Sequence, residues 1–252
     1  MLRDGVTGDW IGTWRGHKGA VWSCRLTEPN AHLAVSAGGD YSVRVWDAIT
    51  GACLATLPHA HICKCADVRG DWLATAGHEG VVRLFAMEDV LAGAKQNGGG
   101  GEVKVTASRE MAHPGLVIHK LCWWNDTTVL TGASDGVIRF WKTDDATTAP
   151  YAVVDTKSGA EIRDMELTTL TTTGQRILSI ASGKSVYFYE YDKLLKSYEM
   201  PIHFRDEGGV SLHPNGTQFI AGGSDLWVRV FEFATGQELA CLKGHVSDLG
   251  LS

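Results

Sequence analysis

Residues 16–47 read GHKGAVWSCRLTEPNAHLAVSAGGDYSVRVWD. The stretch opens on Gly16-His17 and closes on Trp46-Asp47. Between them lie three apolar runs, Ala20 to Leu26, Leu33 to Ala37 and Val43 to Trp46. Pro29-Asn30 separates the first two, and Gly38-Gly39-Asp40 separates the second from the third. Short runs rich in β-branched and aromatic residues, divided by turn formers, predict three antiparallel strands of a meander. A fourth run, Cys53 to Leu57, follows Gly51 and predicts an outer strand.

The unit recurs in register. Ser36, Asp40 and Trp46 stand four and then six residues apart. The same spacing returns as Thr75/Glu79/Phe85, Thr131/Asp135/Trp141, Ser179/Gly183/Tyr189 and Ala221/Asp225/Phe231. Each triplet places a small or hydroxyl residue on one strand, a turn, and an aromatic at the end of the next strand. The intervals between units are 39, 56, 48 and 42 residues. A four-stranded unit with Gly-His at its start, Trp-Asp closing its third strand and a period of about 40–45 residues resembles a WD-repeat propeller blade. The resemblance implies an all-β fold.

Taken in order, Trp10 to Arg15 reads as an outer strand ahead of Gly16-His17. Five four-stranded blades follow, from about Val21 to Leu57, Cys63 to Arg109, Leu116 to Val154, Ile162 to Tyr198 and Gly208 to Leu242. The fourth is degenerate, with no Gly-His pair and Gly183 in place of the turn acid. Gly244-His245 announces a sixth. The long second interval holds residues 91–102, expected to be a flexible glycine-rich insertion because Gly98 to Gly101 have little reason to order. The outer strand of that blade is expected at Val103 to Ala107. The whole chain, 1–252, therefore reads as one propeller domain, partial at both ends, whose uncapped terminal blades are expected to fray or to pair with other chains.

The chain has 252 residues, 44% of them hydrophobic, enough for one sizeable β domain. Lys and Arg number 23 against 29 Asp and Glu, a net charge of −6 that offers no bulk attraction to phosphate backbones. No apolar run approaches the roughly 18 residues of a membrane span, and no secretory leader is evident. Six cysteines (Cys24, Cys53, Cys63, Cys65, Cys122, Cys241) fall in predicted strands and read as reduced, buried thiols of a cytoplasmic or nuclear protein. The triplets beginning at Asn125 and Asn215 read as turn residues rather than glycosylation sites.

His17, Ser36, Asp40 and Trp46 include the residue types of a hydrolase triad. The set recurs as His113, Thr131, Asp135 and Trp141, and duplication around a ring argues against catalysis. Both quartets read instead as structural hydrogen-bond chains, aspartate to histidine to hydroxyl to indole N–H, that tie the loop before the inner strand to the turn between the middle strands. His59, His61, Cys63 and Cys65 alternate along one strand face. Same-face neighbours lie about 6.6–7 Å apart, too far for one tetrahedral zinc, so the stretch reads as strand packing with His59 in the Gly-His place. No phosphate loop and no interleaving of Arg with aromatics marks a nucleotide or RNA site. No cofactor or metal is expected. Candidate partner-binding residues lie on the rim: Tyr41 and Leu226 just after turn acids, with Trp227 beside the latter, and Arg15, Lys18 and His61 in the loops before inner strands.

Gly8-Asp-Trp-Ile-Gly-Thr-Trp14, Gly16-His-Lys-Gly-Ala-Val-Trp22, Val45-Trp-Asp-Ala48, Leu57-Pro-His-Ala-His-Ile62 and Ser179 to Phe188 resemble the serine/threonine kinase receptor-associated protein family, also called Unr-interacting proteins. The resemblance covers essentially the whole chain and places it inside a seven-bladed parent, with Met1-Leu-Arg3 at the end of a preceding third strand. It implies a non-catalytic scaffold whose protein partners are the SMN complex that assembles spliceosomal ribonucleoproteins, the RNA-binding protein Unr, and TGF-β receptor kinases with Smad proteins. The i subunit of eukaryotic initiation factor three, with a similar Gly-His segment, is the alternative.

Overall fold

The computed structural model describes residues 2–4, 6–96, 101–144, 147–204 and 208–243. The chain forms two compact units, Met1–Val129 with Trp141–Ala149, and Leu130–Phe140 with Pro150–Ser252. The fold class is all-β, built from antiparallel sheets of propeller-blade type, with one helix among the described residues.

The first unit opens with a two-stranded ribbon, β1 (Leu2–Arg3) against β2 (Trp10–Gly12). The first blade follows as β3 (Val21–Leu26), β4 (Leu33–Gly38), β5 (Ser42–Asp47) and β6 (Cys53–Pro58), paired in that order. Its two middle strands carry the core: Ala34, Val35, Ala37, Val43 and Val45 are fully buried. The second blade is β7 (Cys63–Arg69), β8 (Trp72–Gly77) and β9 (Val81–Ala86), then the helix α1 (Met87–Gln96), then β10 (Arg109–Ala112), which pairs with β9. A single apolar cluster joins the first two blades, running from Val35, Val45 and Leu57 to Cys63, Leu73 and Phe85.

The third sheet is β11 (Ile118–Asn125), β12 (Thr128–Ala133), β13 (Val137–Lys142) and β14 (Ala152–Asp155). In the second unit, β15 (Ile162–Thr169), β16 (Arg176–Glu190) and β17 (Lys193–Phe204) form the fourth sheet. The fifth contains β18 (Gly209–Leu212), β19 (Gln218–Gly222), β20 (Val228–Glu232) and β21 (Glu238–Leu242). Phe188, Phe219 and Phe231 pack between these last two sheets, Phe219 stacking on Phe231 at 5.0 Å and meeting Phe188 edge-on at 5.1 Å.

The structure corrects several sequence expectations. Residues 91–96, expected in a flexible insertion, are the last turns of α1. Val90 is fully buried and Ala94 nearly so, and both join the apolar cluster that the first two blades share. Apolar residues on one face outweigh the helix-weakening Gly93, against which Val103 packs closely. Residues 97–100 lie outside the described residues. Gly101 to Val103 run parallel to β6: Thr56 N–H donates to Gly101 O at 3.0 Å, and Val103 N–H donates to Thr56 O at 2.8 Å. Residues 101–103 therefore strap the outer edge of the first blade, Val105 and Ala107 pack against the same apolar cluster, and the outer strand of the second blade is β10 instead. A hydrogen-bonded, partly buried edge of this kind is closed to further strand pairing.

The fourth sheet has three strands rather than four. The 15-residue β16 pairs with β15 up to Ser182 and with β17 from Gly183 onward. Gly183 adopts φ +61°, a left-handed conformation that interrupts the extended backbone, and the change of partner happens there. Expected strand Trp10 to Arg15 is shorter, ending at Gly12. All six cysteines lie in strands and are free, but Cys24 is exposed, and Cys53 and Cys241 are half-buried. Asn125 Oδ1 and Asn215 Oδ1 accept the N–H groups of Thr127 and Thr217 and so close their hairpin turns.

Candidate functional site

In the first blade, a chain of side-chain hydrogen bonds links two strands and a loop. Trp46 Nε1–H donates to Ser36 Oγ at 2.8 Å. His17 Nε2 lies 2.7 Å from the same oxygen, and His17 Nδ1 lies 2.9 Å from Asp40 Oδ1. Because Asp40 is acceptor-only, Nδ1 carries the proton and Ser36 O–H donates to Nε2. Asp40 also accepts from Lys18 N–H at 2.9 Å and from Ser42 O–H at 2.8 Å. Burial works against the Asp40 charge, but the Lys18 N–H, His17 and Ser42 hydrogen bonds outweigh it and hold the carboxyl down to about 2. Ser36 is 3% exposed, and its donor and acceptor capacities are both engaged inside the chain. The hydroxyl that a hydrolase would present to substrate here fastens a turn.

The other blades vary the device. In the second, His59 Nε2 meets Thr75 Oγ1 at 2.9 Å and its Nδ1 meets Leu57 O at 3.2 Å. Glu79 accepts from Ala60 N–H at 2.8 Å and from Arg83 at 2.6 Å, and Phe85 brings no indole N–H. Burial, aided by the Arg83 charge, pushes the His59 imidazole below its ordinary value. In the third blade His113, Thr131 and Trp141 are all buried, and the His113 ring packs on Trp141 at 4.7 Å. Asp135 accepts from Val137 N–H at 3.2 Å and from Arg139 at 2.5 Å. In the fifth, Asp225 is paired with Arg229 at 2.5 Å.

An arginine four residues after the turn acid is thus a second recurrent feature: Asp40/Arg44, Glu79/Arg83, Asp135/Arg139 and Asp225/Arg229. Sequence reasoning missed it, although the spacing is plain once the triplets are aligned. On a strand that follows a tight turn, this offset returns the guanidinium over the carboxylate.

The alternating His59–Cys65 stretch does not gather into a donor set. His59 is engaged by Thr75 and Leu57, while His61 lies in the loop outside. Burial pushes the Cys63 and Cys65 thiols well up, Cys65 to about 12, so neither presents a thiolate.

At the rim, the structure brings together some of the expected partner-binding residues. Tyr41 and His61 lie 5.4 Å apart, ring to ring, and His61 stacks on His78 at 5.1 Å with the planes 6° from parallel. Lys18 adjoins them through its N–H bond to Asp40. Next to His78, Lys64 Nζ sits 3.3 Å from the centre of the Trp22 ring. Sequence reasoning did not single out His78, Lys64 or Trp22. Arg15 is exposed, and among the described residues no contact joins it to this group. Leu226 and Trp227 belong to the second unit. Leu226 is 61% exposed, and Trp227 is half-buried with Lys243 Nζ 4.4 Å from its ring centre and Arg229 5.4 Å away.

The residue after the turn acid is left-handed in four blades: Tyr41 (φ +62°), Gly80 (+65°), Gly136 (+76°) and Leu226 (+63°). Glycine adopts this region freely, whereas Tyr and Leu hold it at a cost of order 1–2 kcal/mol. Both exceptions project a large exposed side chain from the rim.

The WD domain, G-beta repeat family model matches residues 8–47 and 107–142. The chain is 35% identical over 253 residues to the serine-threonine kinase receptor-associated protein of Dictyostelium discoideum, covering 97% of this chain and 76% of that protein. The chain belongs to the serine-threonine kinase receptor-associated protein family. The Homo sapiens member is 34% identical over 249 residues and the Gallus gallus member 33% over 255 residues, and the chain spans 64% of the length of each. Subunit I of eukaryotic translation initiation factor 3 from Culex quinquefasciatus is more distant, 26% identical over 263 residues. Membership in the serine-threonine kinase receptor-associated protein family, together with the matched repeats, makes this chain a WD-repeat protein. No described helix is long and apolar enough to cross a membrane.

Proposed function

We propose that this protein is a non-catalytic scaffold that assembles other proteins, acting in ribonucleoprotein assembly with the SMN complex, in receptor-kinase signalling of the TGF-β type, or in both. The observation that carries the reading is the relationship to receptor-associated proteins along 97% of the chain. The engaged hydroxyl of Ser36 supports the same view, since the triad-like constellation of the first blade holds a turn together. Its partners are proteins: SMN-complex subunits, an Unr-like RNA-binding protein, or receptor kinases with Smad-type proteins. They are met in the cytoplasm or the nucleus without direct contact to nucleic acid or membrane.

Affinity purification of the tagged protein from its own cells, with the co-purifying proteins identified, tests this. Recovery of SMN-complex subunits, an Unr-like protein, receptor kinases or Smad-type proteins is the expected result. Recovery of initiation-factor-3 subunits in their place would favour the alternative, which the relationship to subunit I supports. An empty purification would overturn the scaffold reading.

A further inference from the structure

We propose that the rim formed by Lys18, Tyr41, His61, His78, Lys64 and Trp22 is a docking surface for an acidic peptide segment of a partner protein. The inference rests on the scaffold reading and names the site and the chemistry of its ligand.

These six residues come from four separate stretches of the first two blades, and backbone contacts bind the stretches together. Tyr41 O accepts His59 N–H at 2.8 Å, which seats the His59–His61 loop against the Asp40-Tyr41 turn. Ile62 O accepts His78 N–H at 3.0 Å, which brings the next turn alongside. Tyr41, His61 and His78 then form a ladder of rings in successive contact. Tyr41 is 47% exposed and Trp22 40%.

The electrostatics are one-sided. Both turn acids of these blades are engaged inward, Asp40 by His17, Ser42 and the Lys18 N–H, and Glu79 by Arg83 and the Ala60 N–H. The cationic side chains of this patch are the exposed Lys18 and the half-buried Lys64, whose ammonium lies over the face of the Trp22 ring. On a chain of net charge −6, such a patch attracts a short acidic segment. Ring faces flanked by lysine take up an apolar or planar side chain next to the carboxylates. Tyr41 stands in a left-handed conformation that glycine fills in the two following blades. An exposed tyrosine kept there at a conformational cost points to use of its side chain. Peptide is favoured over RNA because the two lysines form a short patch, too small to neutralise the successive phosphates of an extended strand.

Fluorescence anisotropy on the whole protein tests the inference with three labelled probes: a short peptide alternating Glu and Tyr, its Lys/Tyr counterpart, and oligouridine. The Glu/Tyr peptide is expected to bind, and added salt to weaken it. Lys18→Glu with Lys64→Glu should reduce its affinity at least tenfold, and Tyr41→Ala several-fold. The milder Lys18→Gln/Lys64→Gln pair, checked by circular dichroism, guards against misfolding. Tighter binding of oligouridine, equal binding of the Lys/Tyr peptide, or unchanged affinity in the folded Gln pair would overturn the inference. A Gln pair that keeps the full set of co-purifying partners would overturn it too, yet leave the scaffold reading standing. An empty purification from the unaltered protein would instead remove the scaffold reading, and the inference with it.

Discussion

Trp46 donates its indole N–H to Ser36 Oγ at 2.8 Å, between two side chains that are 1% and 3% exposed. The serine also supports His17 Nε2 at 2.7 Å. Removing it strands an indole N–H and an imidazole nitrogen together. Ser36→Ala is therefore expected to cost about 1–3 kcal/mol. The exposed Thr50→Ala, which loses one local turn bond, should stay within about 0.5 kcal/mol. Urea midpoints of the two variants check this, and equal shifts would show that the chain carries no such energy.

Asp40 supplies a pH signature. Its carboxyl is held down to about 2 in the folded protein and titrates at about 4 when unfolded. Between those values the unfolded state binds the proton first, so stability rises with pH. The contribution is fully present above pH about 4 and is lost as pH falls through about 2. Subtracting the stability–pH curve of Asp40→Asn from that of the unaltered protein should leave a limb confined to this window. A flat difference would mean the Lys18, His17 and Ser42 bonds do not favour the charged form.

Two glycines in the left-handed region separate conformational strain from crowding. A side-chain carbon on Gly80 (φ +65°) would sit 2.6 Å from both His113 O and Leu116 O, whereas one on Gly115 (φ +73°) would meet open space. Gly115→Ala pays the backbone term alone, about 1 kcal/mol. Gly80→Ala must in addition push two carbonyls apart and is expected to cost clearly more. Chemical denaturation of both variants decides it, with indistinguishable midpoints as the contrary result.

Two backbone hydrogen bonds fasten the strap to β6, and one of them uses the Val103 amide. Val103→Pro removes the N–H that donates to Thr56 O, whereas Val103→Ala keeps it and loses only methyl groups. Hydrogen exchange at the Thr56 amide, which donates to Gly101 O, should accelerate in the proline variant and remain slow in the alanine variant. Protection retained in the proline variant would mean that the Thr56–Gly101 bond and the apolar contacts hold the strap without the Val103 amide.

Much of this was legible in the amino-acid order because the information is local. The Ser36/Asp40/Trp46 spacing and its recurrences lie within stretches of a dozen residues, where strand period and turn chemistry act directly. The arginine four places after the turn acid was equally visible and went unread. The helix was not legible: the glycines at 93 and 98–101 argue for a loop, and the burial of Val90 and Ala94 that outweighs them comes from a cluster that two blades build together.

The order of residues alone determined the class of fold, the blade boundaries to within a few residues and the family, since each blade announces itself through its own turns and strand alternation. Only tertiary structure decided that Val103 pairs with Thr56 and that Tyr41, His61 and His78 stack into one surface. Those partners are 47, 20 and 17 residues apart along the chain. No local propensity encodes such a meeting. It follows from two blades burying a shared apolar cluster, which sets their rims side by side and leaves exposed rings and ammonium groups together at the edge.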